Sequence, residues 1–347
     1  MKYVITGGSG YIGSRLVEFL ANRDDTERIA IADVKPPRIP HARTEFHRTD
    51  VRDRAALQAL LERVEPDALV HLAFVLNPIR DEQAMYDIDV NGTLNALDAA
   101  ARTGTQHVLV TSSTTAYGAW PDNPEPISED WILRGQPDFA YARDKTEADR
   151  LCQLWAADHP ERTMTIVRPC IVLGPNVDNY IVRAWDDAPF LPRFRGEPDQ
   201  HVQFVHEDDL AEAISGLLVG RHAGAFNVTG DGLMTWQETA EVAGIKLRTM
   251  PFGFFYGLNK LMWRLRVPGT ESPPGNLHFL RNPWVCSNEK LKQTLGWTPK
   301  HDSRETFALT LRARGVLGAD GTPPAPAAGA EATSPNGHGA QDPAAVG

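Results

Sequence analysis

Residues 6–13 read TGGSGYIG, between a short apolar run, Tyr3–Thr6, and an amphipathic stretch, Ile12–Asn22. Gly7, Gly10 and Gly13 recur at a spacing with three uses: a tight turn after a strand, close approach of a pyrophosphate, and close packing of the next helix. The N-terminus of that helix offers unpaired N–H groups and the positive end of the helix dipole. Glycines alone would mark only a turn. Their place between the first strand and the first helix is the context a dinucleotide site requires.

Outward from that turn, the first half alternates short apolar runs with helical patterns. Further strands are expected at Ile29–Asp33, Ala68–Leu72, His107–Ser112 and Thr165–Arg168, and helices at Ala55–Val64 and Glu82–Thr103. The alternation predicts an α/β fold, a Rossmann-type doubly wound parallel sheet covered on both faces. After Pro169 the pattern becomes irregular. A helix at Asp208–Val219 and a strand at Ala225–Val228 read as a return to the sheet. The expected organisation is a nucleotide-binding domain over 1–169, rejoined by 204–230, and a smaller mixed substrate-binding lobe from 170–203 and 231–318. Residues 319–347 are Ala-, Pro- and Gly-rich with a single valine, and such a tail is expected to stay disordered.

The 347-residue chain is 42% hydrophobic and 23% charged, a globular composition. Its formal net charge of −10 excludes a broad electrostatic attraction to nucleic acid or to an anionic membrane. Three scattered cysteines, Cys152, Cys170 and Cys286, imply neither a disulfide framework nor a zinc site. The opening MKYVITGG reads as strand and turn rather than a signal peptide, so a cytoplasmic location is expected. The most apolar later stretch, Thr249–Asn259, is too short to span a bilayer, and no stable membrane insertion is expected.

Asp33 ends the second strand about 20 residues after Gly13. A carboxylate there accepts both adenosine ribose hydroxyls and repels a 2′-phosphate, which favours NAD over NADP, although Lys35 and Arg38 follow closely. Asp50 and Val51 fall where a third strand should end, near an adenine. Asp50 also reads as a helix N-cap before Ala55. Residues 141–145 are YARDK, which places Tyr141 and Lys145 on one helix face. That spacing alone fits a catalytic pair or an ordinary solvated helix.

In order along the chain, TGGSGYIG, DVRD (50–53), HLAF (71–74), TSSTTAYG (111–118), YARDK, RPCIVLGP (168–175), FVHEDDLA (204–211) and NEKLKQTLGWTPK (288–300) resemble the extended short-chain dehydrogenase/reductase family, the NAD-dependent epimerase/dehydratase group. The resemblance implies Tyr141 and Lys145 as catalytic residues and Ser113 as their hydroxyl partner. It implies cofactor contacts from Tyr11, Ile12, Leu72, Ala73 and Pro169 as well as Tyr141 and Lys145. A phenol is a poor base at neutral pH, and a nearby ammonium is expected to lower its pKa. The resemblance further implies a homodimer built on Glu82–Thr103 and Tyr141–His159, where Ala96, Ala99, Ala100 and Ala148 would allow close packing. His71, Arg168 and His206 read as structural, His206 as part of a helix N-cap rather than a metal set with Asp208 and Asp209, and no metal is expected. Thr115 reads as a second substrate contact or a loop cap.

The sequence departs from that family at informative places. Asp89 stands where the family has an Asn that organises a proton relay, and Phe74 replaces the second Ala of the commoner HLAA. Counting back from His206, the diphosphate-binding Arg of nucleotide-sugar members falls on Val202. A late Arg-x-Gly-Asp is replaced by FLRNPWVCSNEK; Arg193, Arg195 or Arg281 could take over the clamp. The aromatic stretch KLRTMPFGFFYGLNKLMWRLRVPG (246–269) suits a pocket wall for an apolar substrate or the core of the lobe, with membrane-surface association as a third reading. The leading expectation is therefore an NAD(P)-dependent oxidoreductase acting on a secondary alcohol or ketone, bulky and hydrophobic, as in the hydroxysteroid-dehydrogenase-like branch. The alternatives are a nucleotide-sugar epimerase or dehydratase, and a non-catalytic NAD(P)-binding regulator.

Overall fold

The computed structural model describes residues 1–187, 189–270 and 272–318, and the tail at 319–347 lies outside the described residues. Strand β1 (Lys2–Thr6) feeds α1 (Tyr11–Ala21) through the glycine turn, followed by β2 (Arg28–Asp33), β3 (Thr44–Arg48), α2 (Arg54–Val64) and β4 (Ala68–His71). Next come α3 (Glu82–Tyr86), a π-helical turn (Asp87–Asn91), α4 (Gly92–Thr103), β5 (His107–Thr111), a 3-10 turn (Thr114–Tyr117), α5 (Ala140–Asp158) and β6 (Thr163–Pro169). The rest comprises β7 (Ile171–Leu173), α6 (Tyr180–Asp187), β8 (Leu191–Phe194), β9 (His201–Val202), β10 (Phe204–His206), α7 (Glu207–Val219) and β11 (Gly224–Val228). It closes with β12 (Met234–Thr235), α8 (Trp236–Ala243), β13 (Leu247–Met250), α9 (Phe252–Arg264), a 3-10 segment (Pro274–Leu280), α10 (Glu289–Leu295) and α11 (Ser303–Ala313).

Seven strands form one parallel sheet in the order β11-β6-β5-β4-β1-β2-β3. The order reverses between β1 and β4, which opens a crevice at their carboxyl ends. Leu16, Leu20, Leu210 and Ile214 cover one face, and Leu57, Leu61, Leu97 and Trp155 the other. Burial on both faces explains why β4 and β5 are buried throughout rather than alternating.

Three local expectations are revised. Glu82–Thr103 is interrupted by the π turn, where Thr93 Oγ1 donates to the Asp89 carbonyl at 2.6 Å and meets His71 Nε2 at 3.1 Å. A Cβ on Gly92 would come within 2.7 Å of Val51 Cγ2, so the turn seats the segment after β3 closely. The cap of α2 is Asp53, which accepts from Ala56 N at 2.9 Å; Asp50 instead accepts from the Arg52 backbone and guanidinium. Ala96, Ala99, Ala100 and Ala148 are buried within the chain rather than at an outer face; Leu94 and Leu154 are the exposed large hydrophobic residues of α4 and α5.

Candidate active site

The glycine turn is shaped by contacts that only a missing side chain permits. Gly7 has φ +68°, and a Cβ there would lie 2.7 Å from Ala73 N; one on Gly13 would lie 2.3 Å from the Gly7 carbonyl oxygen. Gly10 caps α1 with no side-chain acceptor, which leaves its first-turn N–H groups for a ligand. Asp33 accepts from Ser9 N and from Lys35 N, each at 3.1 Å, which fixes its carboxylate beside the turn. Asp50 and Val51 follow β3 on the same side of the sheet, Thr49 N donating to the Asp33 carbonyl at 3.1 Å.

A cavity of about 240 Å³ extends from this turn into the lobe. It is lined by Gly7, Gly10, Tyr11, Ile12, Gly13, Leu72, Ser113, Tyr141, Lys145 and Pro169 from the expected set. Asp33, Asp50, Val51 and Ala73 lie outside that lining, at the sheet edge or behind the glycines. Sequence reasoning missed Asn179, Tyr180, Trp236, Phe279 and Trp284, which close the cavity from the lobe. A signal for Asn179 was present: Asn ahead of an apolar helix is a capping residue, and its Oδ1 accepts from Ile181 N and Val182 N.

Ser113, Tyr141 and Lys145 converge at the end of β5. Lys145 Nζ donates to the Thr111 carbonyl at 2.8 Å, lies 5.7 Å from the Tyr141 ring centroid and packs 3.2 Å from the Phe74 centroid. Burial lowers the Lys145 ammonium from its ordinary value, against the opposing charge of Asp89. Burial also pushes the Tyr141 phenol up, opposed by hydrogen bonding with Ser113 and reinforced by Asp89. Desolvation is the largest of these effects on the phenol. Asp89 is buried, its Oδ1 accepting from Val75 N at 2.7 Å and its Oδ2 without a partner among the described residues. Burial raises its carboxyl while the Val75 N–H and Lys145 hold it down.

The remaining candidates are distributed as follows. His71 is buried between Thr6 Oγ1 at 2.7 Å and Thr93 Oγ1 at 3.1 Å; burial lowers its pKa to about 3, so it is neutral. His206 caps α7, accepting from Asp208 N at 3.2 Å. Arg168 donates to both Asp149 oxygens, at 2.8 and 2.9 Å, and is structural. Thr115 lines the cavity, and the Thr115 Oγ1, Ser112 Oγ, Thr114 Oγ1 and Trp284 Nε1 atoms are buried without a partner among the described residues.

Two expectations that favoured an apolar substrate change. Val202 is fully buried and packs with Phe204 and Met234 rather than facing the cavity, so counting to it did not locate a clamp. Helix α9 has no fully buried residue and contributes nothing to the cavity lining, so it is no pocket wall; Phe252 and Phe255 pack on the buried Phe194 at the edge of the lobe core. Of the proposed substitutes, Arg281 is paired with Glu197 at 2.6 Å, while Arg193 and Arg195 stay outside the cavity lining.

The NAD dependent epimerase/dehydratase family matches residues 3–229. The chain is 25% identical over 321 residues to an uncharacterized protein of Mycobacterium tuberculosis, covering 90% of this chain and 84% of that protein. It is 28% identical over 335 residues to UDP-glucuronic acid decarboxylase 2 of Arabidopsis thaliana, covering 90% and 68%. Its fold is similar to that of Thermus thermophilus UDP-glucose 4-epimerase in complex with NAD, with a TM-score of 0.69, 23% identity, and coverage of 91% of this chain and 100% of that one.

Proposed function

The chain belongs to the NAD dependent epimerase/dehydratase family, and from that premise we propose that it holds NAD along the glycine turn and transforms a nucleotide sugar. The turn suits the cofactor: the absence of a Cβ at Gly7 and Gly13 lets the main chain pack closely on itself, and uncapped N–H groups at the start of α1 can meet a pyrophosphate. Asp33 would accept the ribose hydroxyls. Bound NAD supplies reversible oxidation of a sugar carbon within one catalytic cycle.

Within that reading, Tyr141 Oη takes the proton of the reacting sugar hydroxyl and later returns one. Ser113 Oγ holds the same oxygen, and the Lys145 ammonium favours the phenolate form and binds the nicotinamide ribose. The observation that carries the sugar assignment is the 28% identity to a UDP-glucuronic acid decarboxylase over 90% of this chain. The aromatic lobe wall of Phe139, Trp236 and Phe279 favours a second reading, a dehydrogenase of a bulky secondary alcohol. The retained Ser113, Tyr141 and Lys145 argue against a non-catalytic regulator.

The test is incubation of the purified protein with NAD and separate panels of UDP-, GDP- and dTDP-sugars and hydrophobic secondary alcohols. A sugar product without free NADH, lost in Tyr141→Phe, supports the proposal. NADH accumulating with an alcohol transfers the protein to the second reading. The same variant should retain NAD binding by calorimetry. A homodimer through α4 and α5 belongs to the same proposal, with Leu94 and Leu154 at its face; a monomer mass in light scattering overturns that part.

A further inference from the structure

Helix α9 carries an outward apolar stripe. Phe254 is 67% exposed, Leu258 41%, Leu261 53% and Leu265 65%, and they succeed one another at helical spacing on one side of the segment. They are four of the twelve large exposed hydrophobic residues among the described residues, gathered within about three helical turns. A cluster of this kind calls for an occupant, unlike scattered apolar residues. Gly253 and Gly257 add no bulk, with nothing within 4 Å of where a Cβ would sit. The opposite side anchors the helix: Phe252 and Tyr256 pack on His278, and the Tyr256 hydroxyl donates to Asp138.

The charge carried by the segment that bears the stripe is of one sign. Between Glu241 and Glu271 the sequence has no Asp or Glu but has Lys246, Arg248, Lys260, Arg264 and Arg266, in a chain of net charge −10. Lys260, Arg264 and Arg266 are exposed and enter no ion pair among the described residues. Arg248 and Arg80 rest on the Phe190 and Trp263 rings. Of the carboxylates near the helix, Asp138 is engaged by Tyr256 and His278 and Glu197 by Arg281, while Asp81, beside Arg80, caps α3. Charges elsewhere on the chain are screened beyond about 8 Å at physiological ionic strength, so this face acts with its own sign.

We propose that α9 is a docking face for an anionic lipid bilayer surface, lying in the interface with Phe254, Leu258, Leu261 and Leu265 among the acyl chains and Lys260, Arg264 and Arg266 against the headgroups. A second copy of the chain on this face would bring the cations together, which disfavours self-pairing. A nucleic-acid backbone would leave the apolar stripe in water. No described helix is long and apolar enough to cross a membrane, and a helix of α9's length, about 20 Å, lies along a surface instead.

The test is flotation of the full chain with vesicles of phosphatidylcholine alone and of equimolar phosphatidylcholine and phosphatidylglycerol. Binding to the anionic vesicles only, weakening with salt, is expected. With about fivefold per basic side chain near the surface, Lys260→Gln/Arg264→Gln/Arg266→Gln should lower partitioning about 100-fold. Phe254→Ser/Leu261→Ser should also release the protein. All five positions are exposed, and unchanged thermal melts will show that the variants fold. No binding to anionic vesicles, equal binding to neutral ones, or wild-type partitioning of the charge variant overturns the proposal. So does a light-scattering mass that falls in Phe254→Ser/Leu261→Ser, which assigns the face to self-association, or retention only by an acidic protein.

Discussion

Lys145 Nζ lies 3.2 Å from the centroid of the Phe74 ring while donating to the Thr111 carbonyl at 2.8 Å. Phe74 also meets His71 edge-on, at 5.5 Å between centroids. The ring therefore occupies one side of the ammonium that the proposed function assigns to the nicotinamide ribose. A desolvated cation–π contact contributes up to about 2 kcal/mol. Phe74→Ala removes both that contact and the ring that must yield, so NAD should bind about 3- to 30-fold more tightly. Calorimetric titration of NAD into wild type and variant measures this, and unchanged or weaker binding would show that Phe74 does not compete.

Arg168 and Asp149 form a buried, two-pronged pair joining β6 to α5, and Arg168 Nη1 also donates to Tyr117 Oη at 2.8 Å. Tyr117 Oη in turn donates to Asn227 Oδ1 at 2.9 Å, on β11. Removing one partner leaves a buried charge without compensation. Asp149→Leu or Arg168→Leu should each cost about 3–5 kcal/mol in urea unfolding, and the double variant much less than the sum. Additive losses would mean that the pair is not coupled.

Burial holds His107 at a pKa of about 4, below its ordinary value of 6.5, with Nε2 2.8 Å from Thr165 Oγ1. A depressed folded pKa means that the unfolded chain takes up this proton first as pH falls. The neutral imidazole contributes its full stability above about pH 6.5, and that contribution is lost on descending towards pH 4, by up to about 1.4 kcal/mol per pH unit. Urea unfolding of wild type and His107→Gln between these pH values should differ in slope by close to one proton. Parallel slopes would show that His107 does not drive the acid loss.

Local chemistry was the legible part of the sequence. The glycine turn and the buried strands announce themselves within a few residues, and the sheet followed from their alternation with helices. Ser113, Tyr141 and Lys145 were found from the family's motifs and meet where the strand end and α5 converge. Legibility failed where facing depends on a distant partner. Val202 lies in β9 against Met234 of β12 and packs into the cluster that holds Phe204; an offset from His206 carries no information on that pairing. The aromatics of α9 read equally as pocket or core, because no pattern within the helix tells which neighbours will cover it. Asp89 in place of Asn was visible, but its unpaired Oδ2 and the π turn that positions it arise from packing against Val75 and His71.

The contacts behind Gly7 and Gly13 set how this chain can vary. Every single-base change that turns a glycine codon into that of another residue adds at least one carbon, and at these positions that carbon meets backbone at 2.7 and 2.3 Å. Backbone cannot rotate away as a side chain can. At Gly104, also left-handed with φ +73°, nothing lies within 4 Å, and an Asn is tolerable there. In a saturation library the first two codons should therefore yield no functional replacement, while the third accepts a few. The two intolerant codons record the shape of the main chain itself, and no compensating change in a neighbouring side chain can relax them.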